Sequence, residues 1–296
     1  MKKVLQIILP VLVLIYVVWM VIFIAFQFRN GVNGTEDNGN PVINVPEIDV
    51  NEVVRNELIK KIKTVISEED GMFSVYVKNL DTGMELEINN RKIRAAGLIK
   101  LFNMVALYNE ADNQNIMLDD YAMKNLKQMI IEDSDSNSNK VVTTIGGGSF
   151  DDGAKIVTEL VAEYGCVNTV ESQMLYNTYV PATNGTNTTS VKDCGLILEK
   201  IYKGECVNTK YDKEMLDLLK LTDRNTKLSV RLPEGTEIAH KTAESNQVEA
   251  DVGIVFSPAC DYVICVSVTE FGTEKPEDNI SDISECVYNF FNNITE

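Results

Sequence analysis

Residues 72–102 read MFSVYVKNLDTGMELEINNRKIRAAGLIKLF, and the order of elements in this stretch decides the fold. Met72 to Val77 is rich in β-branched and aromatic residues, Asn79 to Gly83 carries the Asn, Asp and Gly that favour a tight turn, and Met84 to Ile88 alternates as an antiparallel partner. From Leu98 to Tyr108 the apolar spacing changes to that of a helix. Outward from this point, Asn51 to Ser67 has helical spacing before the hairpin. After it, Tyr121–Ile131, Ala154–Tyr164 and Ser190–Tyr202 form a long helical section. The chain then returns to strands at Glu237–Lys241, Val248–Phe256 and Tyr262–Val268 and closes with a helix from Ile280 to Phe291. This order predicts an α+β fold: one antiparallel sheet built from both chain ends, beside an all-helical subdomain that offers a place for a cleft.

The N-terminus has a different character. Val4 to Phe28 (VLQIILPVLVLIYVVWMVIFIAFQF) holds no charged residue, and Lys2, Lys3 and Arg29 flank it. A run of that length is enough to cross a hydrocarbon core about 30 Å thick as a helix. The lysines on the short side predict a cytoplasmic N-terminus and an extracellular C-terminal domain in the cell membrane. Residues 30–49 are Gly-, Asn-, Pro- and acid-rich and too poor in apolar bulk to bury a core, which predicts a flexible linker. The expected organisation is a membrane anchor at 1–29, a linker at 30–49 and one extracellular domain at 50–296.

The chain has a net charge of −17, and because Lys2 and Lys3 are the only charges ahead of Arg29, the part from Arg29 onward carries −19. Nucleic acid is excluded as a partner by that charge. Six cysteines (Cys166, Cys194, Cys206, Cys260, Cys265, Cys286) are compatible with disulfides in an oxidising exterior. Their spacing with the single histidine, His240, gives no metal-ligand pattern.

Three separated segments carry chemistry. Ala95-Ala-Gly-Leu-Ile-Lys-Leu-Phe102 opens a helix directly after the hairpin. Ser134-Asp-Ser-Asn-Ser-Asn139 is placed at the end of another helix, ahead of a Thr-Thr-Ile-Gly-Gly run. Ile238-Ala-His-Lys-Thr-Ala-Glu244 leads towards the strand at 248–256. In order and surroundings they resemble the Ser-x-x-Lys, Ser-Asp-Asn and Lys-Thr-Gly motifs of the class A β-lactamase and penicillin-binding-protein superfamily of serine acyl-enzymes. The likeness runs from about Glu52 to Phe291. It implies a β-lactamase/transpeptidase-like fold and no cofactor. A serine hydroxyl needs a base to take its proton and donors to hold the oxyanion, and the three motifs supply these parts in that family.

The chain departs from each motif. Lys100 matches the motif lysine, but Gly97 stands at the serine position and has no side chain with which to form an acyl-enzyme. For the second motif, one alignment offers Asp133-Ser134-Asp135 and a one-residue shift offers Ser134-Asp135-Ser136. The third reads Lys241-Thr242-Ala243. Glu171 has the wrong spacing for the family's deacylating loop and is read as a surface acid, and His240 as a residue packed beside its strand. Gly97, Lys100, Ser134 and Asp135 are therefore expected to form a vestigial site, with Lys241, Thr242 and Ala243 as the ligand-binding strand. The expected function is a membrane-anchored, non-catalytic module at the cell wall. It would bind a peptidoglycan stem peptide, a β-lactam-like carboxylate ligand, or an unidentified protein partner. The rival is an active β-lactamase or D,D-peptidase that uses a substitute nucleophile such as Ser134 or Ser136.

Overall fold

The computed structural model of the chain describes residues 49–175, 186–273 and 276–293. The expected anchor and linker lie outside them, apart from Asp49. Among the described residues, no helix is long and apolar enough to cross a membrane.

Helix α1 (Val50–Val65) precedes a hairpin of β1 (Met72–Asn79) and β2 (Glu85–Ile88). Asn79 makes the hairpin turn: its Oδ1 accepts from the Asp81 and Thr82 amides at 3.0 and 2.9 Å, and Gly83 follows at φ +75°. The short β3 (Ile93–Arg94) and a single 3₁₀ turn (Ala96–Leu98) lead into α2 (Ile99–Asp112). Every residue of α2 from Ile99 to Tyr108 is buried, so it is the central post of the helical subdomain rather than an amphipathic surface helix. Around it stand α3 (Asp120–Ile130), α4 (Asp135–Ile145), α5 (Phe150–Glu163), α6 (Val191–Lys203) and α7 (Thr209–Lys220), with the two-residue β4 (Thr188–Thr189) paired to β3. Then β5 (Glu237–Glu244), β6 (Val248–Phe256), β7 (Asp261–Thr269) and α8 (Glu277–Phe291) complete the chain.

The sheet has the order β2-β1-β7-β6-β5 and is antiparallel throughout, so β1 from the front of the domain pairs along its whole length with β7 from the back. One face packs on the helical subdomain through Tyr76, Ala239, Ala243, Val252, Ile254 and Cys265, among others. The opposite face is covered by α1 and α8, where Leu58, Ile62, Ile280, Ile283 and Val287 meet Val75, Val77, Ile264 and Val266. This is the expected fold.

Two helices are additions. Segment 134–139, expected to end a helix, instead starts α4: Ser134 is the N-cap, its Oγ accepting from the Asn137 amide. Asn208 caps α7 in the same way, accepting from the Lys210 and Tyr211 amides. Cys166, Cys194, Cys206, Cys260 and Cys265 are buried free thiols. Burial pushes the thiols of Cys166, Cys194 and Cys206 well up, to about 12 for the last two, which keeps them as inert thiols.

The seam between α6 and β1 depends on a glycine. A Cβ at Gly195 would lie 2.3 and 2.4 Å from the Cε1 and Cδ1 atoms of buried Tyr76. Gly195→Ala therefore forces helix and sheet apart and is expected to lower stability by about 1–3 kcal/mol in a chemical denaturation measurement.

Candidate functional site

The edge strand β5 runs past the 3₁₀ turn and the start of α2, and the turn between α3 and α4 closes over both. Alternation along β5 sets its chemistry: Ala239, Lys241 and Ala243 face the helical subdomain, while Ile238 faces the other core. Lys100, on the first turn of α2, reaches the same place. Both lysines are fully buried, at 0% exposure.

Asp133 meets them. Its backbone is left-handed, at φ +57°, a conformation that Asp tolerates better than most L-residues, and this turns both its carbonyl and its carboxylate inward. Lys100 Nζ donates to the Asp133 carbonyl at 2.6 Å and to Asp133 Oδ1 at 2.8 Å. Lys241 Nζ donates to the same Oδ1 at 2.5 Å. Asp135 Oδ1 lies 2.6 Å from Lys100 Nζ, so two carboxylates balance two ammonium groups. At the rim, the half-exposed Arg224 lies 3.7 Å from Asp133 Oδ2 and 3.6 Å from Glu244 Oε2.

The electrostatics follow from this packing. Burial pushes the Asp133 carboxyl up, but Lys241 and then Lys100 outweigh it and hold the group below its ordinary range. Burial pushes Lys241 down; Asp133 opposes that shift and Lys100 adds to it.

Gly97 lies where the 3₁₀ turn touches β5. A Cβ there would stand 2.9 Å from the Thr242 carbonyl oxygen, 3.4 Å from Ala243 Cα and 3.4 Å from Asp133 Oδ1. Its neighbour Ala96 is itself left-handed, at φ +42°, which costs an L-residue about 1–2 kcal/mol. Thr242 is fully buried with no hydrogen-bond partner for its hydroxyl among the described residues, and Ala243 is buried in the core. Next to the turn, Arg94, Ala96, Gln173, Met174, Leu175 and Asn187 enclose a hollow of about 80 Å³. Ligand pockets usually hold about 300–1,000 Å³.

The structure thus brings together Gly97, Lys100, Asp135, Lys241, Thr242 and Ala243, with Asp133 at their centre. Ser134 is spent as a helix cap, and it is Asp133 that meets both lysines. Glu171 is buried rather than a surface acid: Asn187 Nδ2 donates to its Oε1 at 2.7 Å, and burial pushes its carboxyl up to about 8. His240 packs beside the strand as expected, its Nδ1 2.8 Å from Asp251 Oδ1 and its Nε2 3.1 Å from Asn225 Oδ1.

The sequence profile of the beta-lactamase enzyme family matches residues 57–125 and 119–291. The chain belongs to this family. Two structures of PBP-A are 26% identical to this β-lactamase-family chain and cover 80% of it. One has a TM-score of 0.69 with 96% of PBP-A aligned. The other is a PBP-A mutant in an acyl-enzyme complex with penicillin G, with a TM-score of 0.70 and 97% aligned. The beta-lactamase of Sphaerobacter thermophilus shares the fold at 17% identity and a TM-score of 0.71, over 81% of this chain and 99% of its own. No curated protein sequence matches at a significant level.

Removing the Asp133 carboxylate would leave two ammonium groups buried with one counter-charge fewer. Asp133→Asn is expected to cost about 3–5 kcal/mol in stability at neutral pH. Because its folded value lies below the ordinary 3.8, the Asp133 contribution is present above that pH and is lost as pH falls through the depressed value. Acid denaturation curves of Asp133→Asn should therefore be flatter than wild type at the low-pH end.

Proposed function

We propose that this β-lactamase-family domain has lost serine acylation and serves as a non-catalytic binding or scaffold module at the cell wall. In this reading residues 1–29 anchor it in the cell membrane, 30–49 tether it, and 50–296 stand outside the cell. Gly97 occupies the place of the family's nucleophilic serine, three residues ahead of Lys100. The observation that carries the proposal is the single Asp133 Oδ1 that accepts from both Lys100 and Lys241. A base must be free to take a proton from a nucleophile, and a carboxylate-binding lysine must be free to meet its ligand. Here one internal carboxylate uses both.

The same contact weighs between the two kinds of binding. A stem peptide or β-lactam held on β5 would need Lys241 and Thr242 in reach of solvent, and both are at 0% exposure. Recognition through the outer surface by a protein or wall partner fits this arrangement better than recognition in the old cleft. Ser134 is a poor substitute nucleophile because its hydroxyl caps α4 and bonds Asn137 Nδ2 at 2.8 Å.

Intact-mass measurement after incubation with benzylpenicillin tests the proposal. The native chain is expected to gain no drug mass. Gly97→Ser is also expected to gain none, because the restored side chain would start 2.9 Å from the Thr242 carbonyl oxygen and face an engaged lysine. A drug-mass adduct on the native chain would overturn the reading, and the modified residue would identify the nucleophile.

A further inference from the structure

Among the described residues, Asp193, Asp212 and Glu171 are buried acids with no ion pair; main-chain amides and a threonine hydroxyl donate to the first two, but Glu171 keeps an oxygen without a donor. Glu171 is 4% exposed, and among the described residues no Lys, Arg or His forms an ion pair with it. Its main chain is tied to α5 in both directions by Thr158, at 3.0 and 3.2 Å. Of the side chains, Asn103 from α2 and Asn187, just ahead of β4, reach its carboxyl group and act to lower its value, against the larger effect of burial. Asn187 donates to Oε1, while Glu171 Oε2 is buried without a hydrogen-bond partner among the described residues. The Asn103 carbonyl oxygen is also buried and without a donor, since Asn103 Nδ2 is directed at Ser138 Oγ, 3.2 Å away. A carboxylate leaves both oxygens unsatisfied. A carboxylic acid supplies the missing hydrogen.

We propose that Glu171 is held as an uncharged carboxylic acid, donating from Oε2 to Asn103 Oδ1, and that this proton is a pH-sensitive pin fastening residues 170–175 and 186–189 to α2. The pin is connected to further bonds within these segments and to the turn ahead of α2. Asn187 Oδ1 accepts from the Ser172 and Gln173 amides, both at 2.9 Å, and its own carbonyl accepts from the Ala95 amide at 2.8 Å, two residues before Gly97. Asn139 holds Leu175 by two further bonds, at 2.9 and 3.0 Å.

The surroundings favour the neutral form. Along α5, Asp151, Lys155 and Glu159 line the groove of about 360 Å³ that Glu171 also borders, but Lys155 is exposed and paired with Glu159 at 3.8 Å. On α2 the only charge within a turn of Asn103 is Lys100, which Asp133 and Asp135 engage. On α4, Lys140 donates to Asn137 at 3.2 Å. Residues 186–189 (Thr-Asn-Thr-Thr) carry no charge. Burial is the main cause that lifts the carboxyl from 4.5 to about 8. A raised value means that the folded state holds the proton more tightly, so the pin is complete below the ordinary value and is lost as pH rises towards 8. This inference does not depend on whether the lysine site is catalytic.

Hydrogen exchange on the full chain, with intrinsic rates divided out, reads the pin at the Ser172, Gln173 and Leu175 amides. In wild type their protection should fall roughly tenfold per pH unit between about pH 5 and pH 8. In Glu171→Gln, which keeps the size and removes the titration, it should be flat. Infrared spectroscopy of the wild type at pH 6 should also show a protonated-carboxyl C=O band that is absent from Glu171→Gln and fades in wild type as the pH is raised above 8. The proposal fails if wild-type protection does not change with pH, if the glutamine variant shows the same fall, or if wild type has no such band. In that last case Asn103 is turned over to donate to an ionised Glu171.

Discussion

One carboxylate oxygen serving two buried ammonium groups is the constraint on which the site depends. Lys100 and Lys241 are both fully buried, and each would be costly to bury alone. Asp133 makes them tolerable, with Asp135 supplying the second negative charge. The arrangement also fixes geometry: the first turn of α2, the α3–α4 turn and the edge strand β5 meet at one atom, and β5 cannot move outward without breaking a charged contact. The three segments are joined by an internal ion cluster.

The fold prepares this meeting from a distance. Pairing of β1 with β7 brings the two ends of the domain into one sheet, and β6 then presents β5 at the edge nearest the helices. α2 is buried on all sides, so its first turn cannot drift. The close approach of α6 to Tyr76, possible only because residue 195 is glycine, sets how tightly the helical subdomain sits on the sheet. At Gly97 the same kind of close approach occurs between the 3₁₀ turn and the Thr242 carbonyl. In the rest of the molecule such contacts build the core; here one brings the turn ahead of Lys100 against the edge strand.

Most of this architecture could be read from residue order. The hairpin was legible because Asn79, Asp81 and Gly83 interrupt two alternating runs, and the final strands because Val248–Phe256 and Tyr262–Val268 are dense in β-branched residues. α4 was not legible as a separate helix: its first turns, Asp135-Ser-Asn-Ser-Asn-Lys140, are polar and lack an apolar stripe, and its start rests on the Ser134 cap. The site was half legible. Lys100 and Lys241 follow from motif spacing, but local sequence could not decide which of Asp133 and Ser134 faces them, because that choice is made by the left-handed turn at Asp133. Nor could it reveal that Glu171 is buried, since Asn103, Thr158 and Asn187 reach it from three distant segments.

Titration of the Asp133 side chain by carboxyl ¹³C NMR in the full chain addresses the central claim most directly. A carboxylate held between two ammonium groups should titrate below its ordinary value of 3.8, and Lys241→Ala should move its midpoint upward. A midpoint at or above 3.8 in the native protein, unmoved by Lys241→Ala, would contradict the account: the two lysines would then be free, and the site open to a ligand.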